Sequence, residues 1–141
     1  MKKIYLLLMI MAIFTAGCGK DEVKPSYDSA ITLNALQTVN KIKEAYMAKD
    51  TATLGANMNK ELYDGISDKL VFEKADLSFS TPRIVRISDP DVKVLLNWQC
   101  EWTVDGTMLR DRGVSTLVFN VDTMKLVRIE GASPFNTPGM K

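Results

Sequence analysis

The sequence has no histidine among its 141 residues. Histidine is the commonest general base in enzymes and the usual activator of a nucleophilic serine or cysteine. Its absence excludes Ser-His-Asp and Cys-His catalysis, together with every metal site that uses an imidazole ligand. We therefore expect no metal and no cofactor.

Cysteine and basic runs are also scarce. The two cysteines are Cys18 and Cys100, and we expect no disulfide between them because Cys18 has a different role, given below. The net charge of +1 includes Lys2 and Lys3, so loss of the first 17 residues would change it to −1. No basic run follows Lys3, and the chain therefore lacks the positive face that nucleic-acid binding requires.

The apolar run at the N-terminus is too short to cross a membrane. It extends from Ile4 to Phe14, which is eleven residues, whereas a transmembrane helix needs about 20. Two lysines precede this run and small residues follow it, an arrangement typical of an export signal.

The segment Thr15-Ala16-Gly17-Cys18 resembles the lipobox of bacterial lipoproteins, with Thr15 where that pattern most often has leucine. The resemblance implies cleavage before Cys18, a diacylglyceryl group on its thiol and an acyl chain such as palmitate on the new amino group. Two or three acyl chains anchor a protein stably, whereas one is marginal. The alternative is an ordinary cleaved signal followed by a chance cysteine.

The residue after the cysteine bears on localisation. By resemblance to Gram-negative sorting rules, Gly19 in place of aspartate favours the outer membrane, with the domain facing the periplasm. The domain organisation predicted from these signals is a signal peptide at 1–17, the lipidated cysteine with a flexible tether at 18–28, and a single domain at 29–141.

The first half of this domain has helical periodicity. An amphipathic helix is predicted from a cap at Asp28 or Ser29 to about Lys49. A short second helix begins at a cap formed by Asp50 or Thr51, and Asn59 caps a third. In the second half of the domain, apolar and polar residues alternate instead.

Every even position from Val92 to Val104 is apolar, which predicts one long, half-buried strand. Asp105-Gly106 closes it as a hairpin whose partner runs from Thr107 to Val121. Short strands are also predicted at 77–80, 83–87 and 124–130, and the tail from Gly131 to Lys141 is predicted to be irregular. Helices followed by antiparallel strands indicate an α+β fold.

Two parts of this domain resemble the NTF2-like superfamily. They are the helix end and turn from Tyr46 to Leu54, and the closing strands 113–119 and 124–131, with Met124 where the family often has tryptophan. The resemblance covers about residues 29 to 135. It implies a strongly curved antiparallel sheet that wraps the long helix as a cone, with the possibility of a pocket at the open end.

The hairpin register predicts which side chains lie inside the cone. A two-residue loop pairs Val104 with Thr107 and places Glu101 opposite Arg110 on the outer face. The possible pocket on the inner face comprises Trp98, Cys100, Trp102, Asp111 and Ser115. Asp111 is the one acid there, so it is either a polar group in a binding cavity or a solvated or outward-turned residue at the rim.

The orientation of the last strand is open at this point. A two-residue loop at Asp122-Thr123 would turn Leu126, Arg128 and Glu130 inward, and Arg128 could then neutralise Asp111. A three-residue loop would turn Val127 and Ile129 inward, which burial favours because it avoids two buried charges.

The sequence favours a non-catalytic protein. Cys100 has no histidine to activate it and is predicted to be a small buried residue. Among NTF2-like enzymes, the scytalone dehydratase type uses histidines, and the oxyanion tyrosine of the ketosteroid isomerase type would fall at Ile42 rather than Tyr46.

Three functions follow from these features. The first is a membrane-anchored envelope lipoprotein that binds a small apolar ligand or an envelope partner. The second is a structural or assembly lipoprotein that forms a homodimer through the outer sheet face, where Leu95 is predicted to be exposed. The third, which the residues support least, is an isomerase-like or dehydratase-like enzyme.

Overall fold

The computed structural model describes residues 26–80 and 82–138. The predicted signal peptide, Cys18 and most of the tether lie outside these residues. In the described residues, three helices precede five strands, which confirms the predicted order. The elements are α1 Tyr27–Ala48, α2 Thr51–Asn57, α3 Lys60–Ser67, β1 Lys74–Phe79, β2 Arg83–Ser88, β3 Asp91–Val104, β4 Thr107–Asn120 and β5 Leu126–Gly131.

The two short helices begin at the predicted caps. The Asp50 carboxylate accepts a hydrogen bond from the Thr53 backbone N–H at 3.0 Å, and the Asn59 side-chain oxygen accepts one from Leu62 N–H at 3.0 Å. Each bond satisfies a backbone donor that has no partner within the first helical turn.

The start of α1 differs from the prediction. The cap is Ser26, whose hydroxyl accepts a hydrogen bond from Ser29 N–H at 3.2 Å, so the predicted caps Asp28 and Ser29 were wrong. Asp28 lies instead in the first turn of the helix, where a negative charge favours the positive end of the helix dipole.

The sheet is antiparallel and has the order β1-β3-β4-β5, with β2 also paired to β3. β1 pairs with the second half of β3 and β2 with its first half, so the two short strands follow one another along the same side of β3. Pro82 precedes β2 at the interruption between them, where its missing N–H costs no ladder bond.

The hairpin register is the predicted one. Val104 pairs with Thr107, and the Glu101 carboxylate contacts the Arg110 guanidinium at 2.7 Å on the outer face. Asp105 and Gly106 have φ of 50° and 72°, as a type I′ turn requires.

β5 follows neither predicted orientation as a whole. Leu126 pairs with Phe119 and Ile129 with Leu117, and the register shifts between Phe119 and Val118. Val127 is the extra residue of this β-bulge, so both Leu126 and Ile129 face inward. Arg128 faces outward, and the idea that it neutralises Asp111 was wrong.

The core lies between α1 and the inner face of the sheet, the face that contacts this helix. One cluster joins buried residues of the helices, the strands and the C-terminal tail. Gly131 ends β5, so the predicted irregular tail begins one residue later, and residues 132–138 contain no helix or strand. Phe135 of this segment is nevertheless fully buried in the cluster. Together these elements form the curved, cone-like α+β fold that was expected.

Candidate functional site

Four of the five predicted pocket residues are buried on the inner face. The exposed fractions are 4% for Trp98, 1% for Cys100, 0% for Trp102 and 1% for Ser115. Asp111 pairs with Cys100 in the ladder, yet its side chain is exposed.

Asp111 is exposed because of its place along β4. β5 pairs with β4 only from Ser115 to Phe119, so Asp111 lies on the part of β4 that β5 does not cover. Its carboxylate accepts a hydrogen bond from Arg112 N–H at 2.8 Å. This position matches the alternative of a solvated residue at the rim.

The polar groups inside the cone bond to the chain itself. The Trp98 indole Nε1 donates to the Ala132 carbonyl at 3.0 Å, and the Ser115 hydroxyl donates to the same oxygen. The Trp102 indole Nε1 donates to the Tyr46 hydroxyl at 2.9 Å. Among the side chains of residues 26–80, 82–83 and 87–138, every buried nitrogen and oxygen has a hydrogen-bond partner.

Tyr46 lies at the centre of these contacts. Its ring centroid is 5.1 Å from that of Phe72 and 5.2 Å from that of Phe135. Burial raises the pKa of the Tyr46 phenol, against the opposing effect of its hydrogen bonds with Trp102 and Thr137. Helical periodicity placed Tyr46 on the buried face of α1, but its bond to Trp102 leaves no pattern in the sequence.

Cys100 is a free, buried thiol. Burial raises its pKa from the ordinary value of 9.0 to about 12. The thiolate is the nucleophilic form of cysteine, so Cys100 is almost entirely unreactive at neutral pH. This environment agrees with the predicted role as a small core residue.

Two wide grooves lie on the outer face, which is the side of the sheet turned away from α1. Their volumes are about 640 and 630 Å³, and both include Ser78, Gln99 and Arg112 in their walls. The first groove also reaches Ser80, Asn97 and Val114, and the second reaches Asp76, Glu101 and Arg110.

Exposed apolar side chains also lie on this face. Leu95, Met108 and Val114 are 37%, 59% and 51% exposed. Leu95 pairs with Thr116 and Asn97 with Val114, so Leu95 and Val114 are diagonal neighbours on one surface. Prediction from alternation identified Leu95, but it missed Met108 and Val114 because both lie on β4, where apolar and polar residues do not alternate strictly.

Another part of the outer face is closed by charged side chains. Val118 is 0% exposed although it points outward, and it lies between Lys93 and Arg128 in the ladder. Glu130 accepts hydrogen bonds from Lys93 at 3.0 Å and from Arg128 at 3.1 Å. The stems of the two basic residues thereby cover Val118.

Two further observations concern metals and membranes. In the part of the chain that the structure describes, no group of three or more His, Cys, Asp or Glu residues could hold a metal ion. None of the helices in that same part is both long enough and apolar enough to cross a bilayer.

Comparison with known proteins identifies the fold. A solved structure of an NTF2-like superfamily protein from Salmonella enterica serovar Typhimurium strain LT2 matches 79% of this chain and 96% of its own, with a TM-score of 0.63 and 13% identity. The predicted NTF2-like arrangement of helices on a curved antiparallel sheet is therefore confirmed. No protein-family model matches the sequence, and no curated protein matches it.

Proposed function

We propose that this protein is a lipid-anchored, non-catalytic binding protein of the bacterial cell envelope that docks a partner protein through the outer face. The observation that carries the proposal is the position of the exposed large apolar side chains of the described strands. Leu95, Met108 and Val114 all lie on that face. Protein interfaces combine apolar contacts with a surrounding polar rim.

The surroundings of these residues favour a protein partner over a small apolar ligand. Val114 lines the first groove together with Asn97, Gln99 and Arg112, and Leu95 lies diagonally beside Val114 on the same face. The inside of the cone offers a small ligand no unpaired polar group in the described residues. Small molecules bind mainly in concave, apolar pockets. A shallow surface that mixes apolar and polar side chains therefore favours a protein partner.

The inner face supports a non-catalytic role. General acid–base catalysis needs a group that titrates near the working pH. The two titratable side chains buried there, Tyr46 and Cys100, both have a raised pKa. An isomerase-like reaction would lack a base at this place.

The anchor is proposed from the sequence. Cys18 follows the export signal, and the cap Ser26 comes eight positions later, with seven residues between them. A fully extended chain of that length spans at most about 30 Å. The start of α1 would therefore stay within about one bilayer thickness of the membrane surface.

The anchor is tested on the full chain expressed in a Gram-negative bacterium. We expect the protein in the membrane fraction, with a mature N-terminus at Cys18 that carries acyl chains by mass spectrometry. The Cys18→Ala chain should lose the acyl mass and leave the outer-membrane fraction. An unmodified Cys18 in membrane-extracted protein would contradict lipidation.

Docking is tested by photo-crosslinking in intact cells. A photoreactive amino acid at Val114 of the full chain should form a defined adduct. The control places the same group at Leu33, which is 56% exposed on α1. If the same adduct also forms from Leu33, or if neither position gives an adduct, the outer face is not the docking surface.

A second candidate is a homodimer through the same face. The outer face carries acids and bases side by side, with Asp76 and Glu101 close to Arg110 and Arg112. A two-fold interface needs a patch that complements itself, and this mixture of charges meets that need. In the crosslinking experiment, an adduct of twice the chain mass would indicate a second copy.

A further inference from the structure

The C-terminal tail, defined here as residues 132–137, leaves the sheet at a single residue. Gly131 has φ of 88°, and a Cβ at this position would lie 2.8 Å from the Val114 carbonyl oxygen. Only glycine adopts this turn readily. Beyond it the chain departs from the edge of β4 and enters the cone.

One backbone carbonyl of the tail binds the polar groups of the inner face. The Ala132 oxygen accepts hydrogen bonds from the Trp98 indole and the Ser115 hydroxyl. Such a carbonyl is present in every peptide, so this pair of donors recognises a main chain rather than a particular side chain.

The tail side chains fill the rest of the space. Phe135 is 0% exposed and meets the Tyr46 ring edge-on at 5.2 Å, a favoured aromatic geometry. Thr137 is 2% exposed and donates a hydrogen bond to the Lys69 carbonyl at 3.3 Å. The spacing is an aromatic residue followed two positions later by a hydroxyl.

We propose that the cone is a binding site for an extended peptide and that the tail occupies it as an autoinhibitory ligand. The peptide it accepts has a main-chain carbonyl for Trp98 and Ser115, and a phenylalanine followed two positions later by threonine or serine. This inference is independent of docking on the outer face, because the contacts involved lie on the inner face.

The way the tail is held permits exchange. It has no helix or strand, and its backbone bond to the sheet runs from Ala132 N–H to the Val114 carbonyl at 3.2 Å. Its release separates no pair of strands, because residues 132–137 belong to none of the paired strands. Because the tail is tethered, it competes with a free peptide for the cone at an effective concentration in the millimolar range. A peptide from another chain therefore binds best when a substitution weakens the contacts of the tail with the cone.

Hydrogen exchange of the full chain tests whether the tail opens by itself. The Trp98 indole N–H is protected by the Ala132 carbonyl, whereas the backbone amides of β3 are protected by the sheet. We expect the Trp98 indole proton to exchange at least about tenfold faster than the slowest β3 amides, because local opening needs less free energy than global unfolding. Equal rates would show that the tail leaves only when the domain unfolds, and would overturn the proposal.

A peptide experiment tests the site. The full chain with Phe135→Ala is titrated with a synthetic peptide of residues 131–138, and the matched control is the same peptide with alanine in place of its phenylalanine. We expect a saturable shift of the Trp98 indole resonance and a higher melting temperature with the first peptide alone. If Phe135→Ala does not fold, Phe135→Leu retains an apolar side chain and serves for the same comparison. Equal responses to the two peptides, or no saturable response, would overturn the proposal.

Discussion

The hydrogen bond between Tyr46 and Trp102 connects α1 to β3 inside the core. Both side chains are 0% exposed, so neither group can exchange its partner for water. In such a place the loss of one partner costs more than the bond contributes, because the other partner remains buried and unpaired.

We therefore expect Tyr46→Phe to lower the free energy of unfolding by about 1–3 kcal/mol. The variant keeps the ring against Phe72 and Phe135 and removes only the oxygen that accepts from Trp102. Urea unfolding measures the change. Tyr63→Phe, at a half-buried position of α3, is the matched control and should change stability by less than about 0.5 kcal/mol.

Cys100 makes stability depend on pH in the alkaline range. Its pKa is raised from 9.0 to about 12 in the folded chain. Above pH 9 the thiol of the unfolded chain loses its proton while the folded chain retains it, so rising pH favours unfolding. The stability from this group is complete below pH 9 and is lost as pH rises towards 12, by at most about 1.4 kcal/mol per pH unit.

The Cys100→Ala chain isolates this effect, since its other titrating groups are unchanged. Urea unfolding at about pH 8 and about pH 10 should show a smaller alkaline loss for the variant than for the parent chain. An equal loss in the two chains would mean that the thiol is ionised in the folded protein or contributes nothing.

At the scale of elements, two glycines differ in whether their position would accept a side chain. Gly65 lies within α3, and a Cβ there would meet no atom within 4 Å. Gly131 ends β5 with a positive φ, and a Cβ there would lie 2.8 Å from the Val114 oxygen. We expect Gly65→Ala to stabilise the chain by about 0.5–1 kcal/mol and Gly131→Ala to destabilise it by about 1–3 kcal/mol. Thermal unfolding of both variants, which carry the same added methyl group, provides the comparison.

The elements that local sequence determines were the ones that could be predicted. The β3–β4 register follows from alternation together with the Asp105-Gly106 turn, both of which are local. The caps Asp50 and Asn59 are local as well. These signals act within a few residues, and tertiary contacts did not override them.

The remaining errors concern features that distant residues decide. The bulge in β5 depends on where β4 places Phe119 and Leu117, and the hydrophobic pattern of β5 alone admits two orientations. The sequence after Gly131 is predicted to be irregular because it contains Pro134 and Pro138, yet the cone buries Phe135. Asp111 was the hardest residue of the candidate site to place, since its exposure depends on how far β5 extends along β4.

At the scale of the whole molecule, a single core joins the helices, the sheet and the tail. Trp98 and Trp102 lie within this core and report on its packing. We therefore expect tryptophan fluorescence and far-ultraviolet circular dichroism to give the same midpoint in urea, as a two-state domain should. A fluorescence transition at clearly lower urea would contradict one cooperative unit. Rare native-state opening of the tail remains compatible with coincident midpoints, because hydrogen exchange detects minor states that equilibrium unfolding does not.

The bulge at Val127 has a consequence for how this fold tolerates changes in length. Deleting one residue from a strand normally moves every later side chain to the opposite face. In β5 the ladder already omits Val127, so its deletion would leave Leu126 and Ile129 facing inward and Arg128 facing outward. The deletion would remove the 3.2 Å hydrogen bond that the Asn59 side chain donates to the Val127 carbonyl. We expect the Val127 deletion to fold with a lower melting temperature, and deletion of Ile129 to abolish folding. Related chains could therefore lose a residue here without exchanging the inside and outside of the sheet.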